Sequence, residues 1–584
     1  MLRGINECQG CAVIRYQRTF RANALRFTAE GTQSAKRHSQ RRRTVVACAT
    51  SVEAPAASRR HGEASGAPDR SHETEVVVIG SGLGGLCCAA MLATYGVKVT
   101  VCESHGIPGG AAHAWVDKAG YHFESGPSLY SGMSGRGRGA NPIAHVLQAI
   151  DEPLDLIKYN RWNVVLPEGQ FLTEVGNAQF EEVLQQVSPS GIPQWQELQR
   201  VMKPLGKAAT LLPPAAFRGD PLVALTAFGR YIPHLLQGGV GNIRKLIGPF
   251  SRVIDGVITD KFVRNWLDLL SFLLSGLPAD GTIAAEVAFM FNEWYRPDCC
   301  LEFPRGGSQA IVQALVRGIK KHGGRVLMNA HVDEVLVEGG RATGVRLRGG
   351  SKVRATKSVV SNASLWDTQR LLPGHVITPK MQKQAQETPL NRSFMHLHLG
   401  FDATGLEDLE LHHIIVNSWE GGVDTEQNVV LISIASVMDP SLAPAGKHSL
   451  HAYLPATEPF HLWEGLERGS QEYERLKEER SQVLWRAVEK VIPDIRQRTE
   501  VELVGTPLTH RHFLRRHRGT YGPAIRAGQG TFPGPKTPIP GLLVCGDSTF
   551  PGIGVPAVAA SGAIAANSLV PVWEHWKMLD RIGV

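Results

Sequence analysis

Gly80-Ser81-Gly82-Leu83-Gly84-Gly85 constrains this chain more than any other segment, because of what stands on either side of it. Before it, Glu75-Val76-Val77-Val78-Ile79 holds a run of mostly β-branched apolar residues, the pattern of a strand buried on both faces. After it comes an Ala- and Leu-rich helix from Leu86 to about Tyr95, then a second strand from Val97 to Glu103. This strand–turn–helix–strand order is the context in which G-x-G-x-x-G carries chemistry. Gly80 permits the tight turn, Gly82 lets a pyrophosphate approach the backbone, and Gly85 lets helix and strand pack closely. The helix start, around Ser81 and Gly84, offers unpaired N–H groups and a positive dipole end to phosphate. Glu103 closes the second strand, where an acid accepts hydrogen bonds from a ribose. Its charge would repel a 2′-phosphate, which argues against NADP as a tight ligand.

Directly after Glu103 the chain runs Ser104-His105-Gly106-Ile107-Pro108-Gly109-Gly110-Ala111-Ala112. This resembles the second glycine motif of glutathione-reductase-type FAD proteins, which NAD-only domains lack. At the other end, Gly541-Leu542-Leu543-Val544-Cys545-Gly546-Asp547 is a short apolar strand ending in Gly-Asp. Phe550 to Pro556, with Gly554 and Val555, then leads into an Ala-rich helix ending near Leu569. This is similar to the C-terminal FAD motif of the same superfamily. The resemblance implies that Asp547 bonds the ribityl chain or a phosphate. It also implies a helix start aimed at the N1/O2 edge of the flavin, where negative charge develops on reduction. A third piece runs from Leu301-Glu302-Phe303-Pro304-Arg305-Gly306-Gly307 through a helix at about 309–322. It continues through a strand around Val332, and the runs 341–348 and 351–361 end at Ser361-Asn362-Ala363. In the superfamily a backbone group near Val332 meets the adenine.

The expected fold is therefore α/β. It has a discontinuous glutathione-reductase-type, Rossmann-like FAD domain built from 73–140, 301–370 and 538–572. An α+β substrate domain, as in phytoene desaturases and amine oxidases, comes from 141–300 and 371–537, and 573–584 forms a tail. The expected FAD-binding residues are Gly80, Ser81, Gly82, Gly84, Gly85, Glu103, Ser104, Gly109, Gly110, Ala111, Val332, Gly546, Asp547, Gly554 and Val555. No His/Cys cluster at metal-ligand spacing stands out, and no metal is expected.

Phe123-Glu124-Ser125-Gly126-Pro127-Ser128, Gly505-Thr506-Pro507 and Gly519-Thr520-Tyr521-Gly522 extend the likeness. Over 73–584 the chain resembles the phytoene desaturase/carotenoid isomerase family of flavoproteins, nearest the carotenoid-isomerase-like branch of plants and algae. The resemblance implies a hydrophobic polyene substrate and cis-to-trans isomerisation of poly-cis carotenoids with reduced FAD. Gly126-Pro127-Ser128 is nearer the desaturases, so a polyene desaturase or saturase stands as the alternative. A prenyl-binding escort of the GDP-dissociation-inhibitor type shares the fold but uses no flavin. No Ser-His-Asp triad or paired carboxylates stand out, as expected where a cofactor carries the chemistry. Candidate proton donors are Glu293 and, on one face of a strand, His396 and His398. Arg511, Arg515, Arg516 and Arg518 form a cluster suited to pairing with acids or phosphate.

The formal charge of +8 resides in the first 50 residues, with 10 Lys/Arg against 2 Asp/Glu; the remainder carries 62 − 10 = 52 basic and 54 − 2 = 52 acidic residues. No basic field for nucleic acid remains. The Arg-rich, acid-poor start reads as an organelle transit peptide over 1–48; Arg41 to Cys48 looks like a chloroplast processing site, with mitochondrial import the rival, and a Pro/Ala/Ser/Gly linker follows over 49–72. The uncharged stretch from Ser548 to Trp573 holds prolines, glycines and Asn567, and reads as a buried helix rather than a membrane span. Residues 205–295 are rich in apolar residues and poor in acids. Ile243, Leu246, Ile247, Phe250, Val253, Ile254 and Val257 recur at helical spacing beside Arg244, Lys245 and Arg252, and Pro249 breaks the run. A basic amphipathic segment of this kind lies either in a membrane interface or against a core. Peripheral attachment to a plastid envelope or thylakoid membrane is expected from the lipid-dissolved substrate. No feature specifies an oligomeric state.

Overall fold

The computed structural model describes residues 72–238, 240–295 and 299–584. The expected transit peptide and nearly all of the linker lie outside the described residues. Val76, Val77 and Val78 are wholly buried in strand β1 (His72–Ile79), because β1 is central in its sheet. Helix α1 (Leu83–Thr94) follows, then β2 (Val99–Cys102) parallel to β1. On its other edge β1 pairs in parallel with Lys352–Ser361. The sheet order is Arg325–Leu327, β2, β1, Lys352–Ser361, Arg341–Leu347, Val332–Glu338. The last two strands are antiparallel additions. Leu542–Val544 pairs in parallel with the C-terminal end of Lys352–Ser361, which joins a strand from the last fifty residues to the sheet that holds β1.

Helix α1 is buried from Leu83 to Ala93, with no solvated face, and packs between Val555–Asn567 and Ser308–Lys321. Its contact with Val555–Asn567 is close: a Cβ added to Gly562 would lie 2.2 Å from the Gly84 carbonyl oxygen. Small residues in the uncharged segment thus serve helix-on-helix packing inside the protein. Among the described residues no helix is long and apolar enough to cross a membrane. Two segments sit differently from the sequence reading. Helix Pro142–Ile150, expected in the substrate half, packs on α1 and Val555–Asn567. Residues 573–584, expected as a tail, fall mostly in helix Val572–Arg581, which buries His575, Met578 and Leu579 against the nucleotide-domain core.

The second half rests on a seven-stranded sheet. Its order is Thr499–Gly505, Ser393–Asp402, Lys447–Glu458, Val429–Ser433, His412–Val416, Arg161–Leu166, Gly169–Glu174. It is antiparallel except where His412–Val416 meets Arg161–Leu166. Alternation along Ser393–Asp402 divides the faces. Met395, Leu397, Leu399 and Phe401 are fully buried in a core shared with helix Gln471–Val491, while His396 and His398 point to the opposite side. A helical lobe built from Ile192–Ala209, Lys261–Ser275 and Ala284–Trp294 packs Trp195, Trp266 and Phe291 into a separate core. Pro249 does divide the basic segment, into Val240–Leu246 and Ser251–Ile254. Leu246, Phe250, Val253 and Ile254 face that core, and Ile243 and Ile247 face outward.

Candidate functional site

The two glycine motifs, separated in the chain by α1 and β2, meet as one seam. Gly82 bridges Gly109 in parallel, and the Gly109 N–H donates to the Ser81 carbonyl at 3.0 Å. A Cβ on Gly110 would lie 2.8 Å from the Gly82 Cα, and one on Gly85 only 2.2 Å from the Gly80 oxygen. Glu103 fastens the seam: Oε2 accepts from the Ser81 N–H (2.7 Å) and hydroxyl (2.6 Å), and Oε1 from the His105 N–H (2.7 Å) and the Ser104 hydroxyl (3.3 Å). Ala111 lies in the single turn Gly110–Ala112, its carbonyl accepting from the Ser125 hydroxyl at 2.9 Å. Val332 is buried at the start of its strand, two residues after Ala330, whose N–H donates to the Glu103 carbonyl at 2.7 Å.

Gly546 and Asp547 reach the same place from the far end of the chain, and Asn362 joins them to it. Added Cβ atoms on Gly82, Gly84 and Gly546 would lie 2.8, 2.6 and 2.7 Å from the Asn362 amide. That side chain, at the end of the central strand, fills the notch where the three segments cross. Asp547 is held by Arg516, Nη1 to Oδ2 at 2.6 Å. Gly554, with φ of +100°, precedes helix Val555–Asn567, and its carbonyl accepts from the Val558 N–H at 2.9 Å. The result is bare backbone, with no room for a Cβ, converging on two helix N-termini. This suits a dinucleotide pyrophosphate, and the donor set from Ser81 to Asp547 fits FAD.

Beyond the seam, Glu124 is buried and accepts from the Ser308 N–H at the head of helix Ser308–Lys321; burial pushes its carboxyl up to about 7. His398 bonds the Glu124 carbonyl through Nε2 at 2.9 Å and packs edge-on against Trp115 and Phe123. His396 lies beside it, with ring centres 5.9 Å apart. Burial holds His398 down to about 4 and His396 well below the ordinary imidazole range, so both are neutral near pH 7. Glu293 is buried elsewhere, in helix Ala284–Trp294 beside Gly132. The same helix carries Glu286 in its first turn. Glu286 is half-buried, its carboxyl makes no hydrogen bond among the described residues, and it is pushed up to about 7 by burial. It acts electrostatically on Tyr521, as does Asp547. Among the described residues no group of His, Cys, Asp or Glu could hold a metal ion.

A seam that admits only backbone, closed by Glu103, Asn362 and an Arg516–Asp547 pair, defines a flavin-type dinucleotide site attached to a separate substrate lobe. Residues 83–570 match the flavin-containing amine oxidoreductases, and the chain belongs to that family. It is 32% identical over 530 residues to prolycopene isomerase 1, chloroplastic, of an Oncidium hybrid cultivar, covering 87% of this chain and 85% of the relative. It is 30% identical to the chloroplastic prolycopene isomerase of Daucus carota (85% and 80% covered). It is 25% identical to the lycopene-forming phytoene desaturase of Pseudescherichia vulneris (85% and 99% covered). In structure it shares the fold of an oxidoreductase from Methanosarcina mazei, with TM-score 0.55 and 19% identity over 83% of this chain and 98% of that one. It shares it too with putrescine oxidase bound to putrescine, with TM-score 0.54 and 15% identity over 85% and 98%. FAD is the cofactor that family and cradle together define.

Asn362, Glu286, His451 and His510 belong to no motif read in the sequence. Asn362 follows an apolar strand as any loop residue does, and the histidines gather only when three distant segments pair.

Proposed function

We propose that this protein is a plastid FAD enzyme that isomerises cis double bonds of a poly-cis carotenoid of the prolycopene type to trans. The observation that supports this reading most is similarity along nearly the whole chain to plant prolycopene isomerases at 30–32%, against 25% for the desaturases. Reduced FAD, when bound, supplies the electron or proton equivalents that lower the order of a polyene double bond, and it is not consumed.

Gly80, Ser81, Gly82, Gly84, Gly85, Gly109, Gly110 and Ala111 would hold the pyrophosphate, with Glu103 and Ser104 near the ribose. Val332 would approach the adenine by its backbone. Gly546, Asp547, Gly554 and Val555 would meet the ribityl chain and the flavin edge. Neutral, buried His396 and His398 give the substrate side a polar but uncharged wall. Such a wall can exchange a proton with a polyene without presenting it a fixed charge. Glu286, half-buried and with no hydrogen bond to its carboxyl among the described residues, is a stronger proton donor candidate than Glu293, which is packed against Gly132.

Substrate entry calls for contact with lipid. Leu222, Leu225, Phe228 and Ile232 lie exposed along the helix Val223–Gly238 and the turn before it, with Ile243 and Ile247 nearby in sequence. Arg244 and Lys245 are exposed among them. We assign this face to peripheral contact with an anionic plastid membrane, envelope or thylakoid.

The test uses protein lacking residues 1–48 in liposomes, with FAD reduced anaerobically and poly-cis lycopene added. All-trans product of unchanged mass, formed only with reduced flavin, is expected. A product differing by two hydrogens would make the protein a desaturase or saturase, the reading that Gly126-Pro127-Ser128 favours.

A further inference from the structure

Asn362 stands where a sheet of this kind takes its ligand. β1 runs between β2 on one side and Lys352–Ser361 on the other, and all three are parallel. The chain leaves β1 toward β2, so the crevice at the carboxyl ends of β1 and Lys352–Ser361 is the switch point of the sheet, where open α/β sheets bind their ligands. Gly80 follows β1, Asn362 follows Lys352–Ser361, and Cys545-Gly546 follows Leu542–Val544. The Asn362 N–H donates to the Ile79 carbonyl and the Cys545 N–H to the Ser361 carbonyl, each at 2.9 Å, which locks the three strand ends side by side.

The two ends of the Asn362 amide meet different surroundings. Oδ1 accepts from the Cys545 thiol at 3.7 Å. A hydrogen bond with Cys88, and then burial, raise that thiol well above its ordinary range, so it keeps its proton and donates. The amide atom facing it is therefore the oxygen. Added Cβ atoms on Gly84 and Gly546 would lie 2.6 and 2.7 Å from Oδ1, so backbone closes in this end.

Nδ2 points the other way. It lies 2.8 Å from where a Cβ on Gly82 would stand and 3.8 Å from one on Gly80. Gly82 is the glycine whose missing Cβ lets a pyrophosphate approach, so Nδ2 borders the space that the phosphates enter. Asn362 is half-buried, and its Nδ2 makes no hydrogen bond among the described residues. A donor held there without an acceptor is costly, and a phosphate oxygen would satisfy it with a charge-assisted bond. The need for neutral donors is plain in the sequence, because neither 80–85 nor 104–112 contains a Lys or Arg. The nearest carboxylates are already engaged, Glu103 by Ser81, Ser104 and His105, and Asp547 by Arg516.

We infer that Asn362 is a pyrophosphate ligand: Nδ2 donates to a phosphate oxygen of FAD, while Oδ1, held by the Cys545 thiol, keeps the amide turned toward it. The side chain thus does more than fill the notch between three segments. This role rests on FAD as the cofactor and is the same whether the reaction is isomerisation or desaturation.

The test separates donor from filler by shape. Asn362→Asp keeps the outline of the side chain and the acceptor for Cys545, but replaces the N–H donor with a charge that repels phosphate. Asn362→Ala deletes the donor and adds no charge. The full chain, stripped of flavin, would be titrated with FAD and followed by flavin fluorescence. Asn362→Asp is expected to weaken FAD binding by at least about 100-fold, and Asn362→Ala by about 10- to 100-fold. FAD binding by Asn362→Asp within threefold of wild type would show that only shape matters and overturns the proposal. Should Asn362→Asp fail to fold, Asn362→Ala decides the question alone, and an affinity within threefold of wild type overturns it. The phosphorus-31 spectrum of bound FAD gives a second reading that needs no turnover. One pyrophosphate resonance should move between wild type and Asn362→Ala, and identical spectra overturn the contact. Product analysis of the same wild-type protein tests the isomerase reading separately, since a desaturated product would leave both results standing.

Discussion

Arg516 and Asp547 form an ion pair of 2.6 Å, with both side chains less than one-fifth exposed. Arg516 also donates to the Thr520 and Tyr521 carbonyls at 2.7 and 3.0 Å, so the guanidinium braces the 519–522 turn against the Gly-Asp end of the chain. Arg516→Ala leaves a shielded carboxylate unpaired and two carbonyls without donors. A loss of about 2–4 kcal/mol in stability is expected, together with reduced FAD occupancy. Arg516→Lys should recover little, because an ammonium cannot reach an acid and two carbonyls in fixed geometry. Thermal melting and the ratio of flavin to protein absorbance check both variants; retention of FAD by Arg516→Ala would show that the pair does not shape the site.

Gly85 and Gly374 make a matched pair of tests. A Cβ at Gly85 meets the Gly80 carbonyl at 2.2 Å, while Gly374 has ordinary φ and nothing within 4 Å. Gly85→Ala must push α1 away from β1 and open the seam, so apoprotein or insoluble protein is expected. Gly374→Ala should be neutral or stabilise slightly by restricting the unfolded chain. Flavin content of the two variants, purified in parallel, tests whether the glycine contributes close approach or mere flexibility.

The parts of this site legible in the sequence are those whose chemistry is local. Gly80 to Gly85 and Glu103 lie within one strand–turn–helix–strand unit and Gly109-Gly110 follows it at once, so the residues that meet in the seam between Gly82 and Gly109 are close in the chain. The alternation that put His396 and His398 on one face was equally local. His451 could not be read as their neighbour, because only strand pairing sets it opposite His398, and the His396 it bonds is 55 positions away in the chain. In the sequence Asn362 only closes the 351–361 run, since its role depends on two segments, around Gly82 and Gly546, that cross it. Residues 573–584 read as a tail in the sequence because a short helix with charged positions gives no sign of the groove that receives Met578 and Leu579.

Glu286 should make the protein more stable as its charge is removed. Burial raises its carboxyl from an ordinary 4.5 to about 7. Below pH 4.5 the group is protonated in both folded and unfolded states. As the pH rises to about 7 the unfolded chain ionises first, and the stability the protonated group contributes is lost. Glu286→Gln should therefore match wild type near pH 4.5 and exceed it by about 2 kcal/mol at pH 8, allowing for partial exposure. If Glu286 also donates a proton to the polyene, the same variant loses turnover while gaining stability. Urea unfolding at the two pH values, set beside turnover, reads both effects. An equal midpoint shift at pH 4.5 and pH 8 would show that the carboxyl's charge is not what costs stability.

The exposed apolar face offers the sharpest separation of binding from chemistry. Phe228 is 62% and Ile247 65% exposed, and neither belongs to a core. On a lipid surface each would bury most of its side chain, worth about 1.5–3 kcal/mol apiece. Arg244 and Lys245 would add attraction to anionic headgroups, each about 1 kcal/mol and screened by salt. Phe228→Glu and Ile247→Glu should accordingly weaken flotation with anionic liposomes by at least 10-fold each. Neither replacement opens a cavity, so flavin absorbance and melting temperature should be unchanged. Turnover should fall when the polyene is presented in liposomes and be retained when it is presented in detergent micelles. Equal losses in both media would place these residues at the chemistry, and unchanged flotation would remove this face from the membrane.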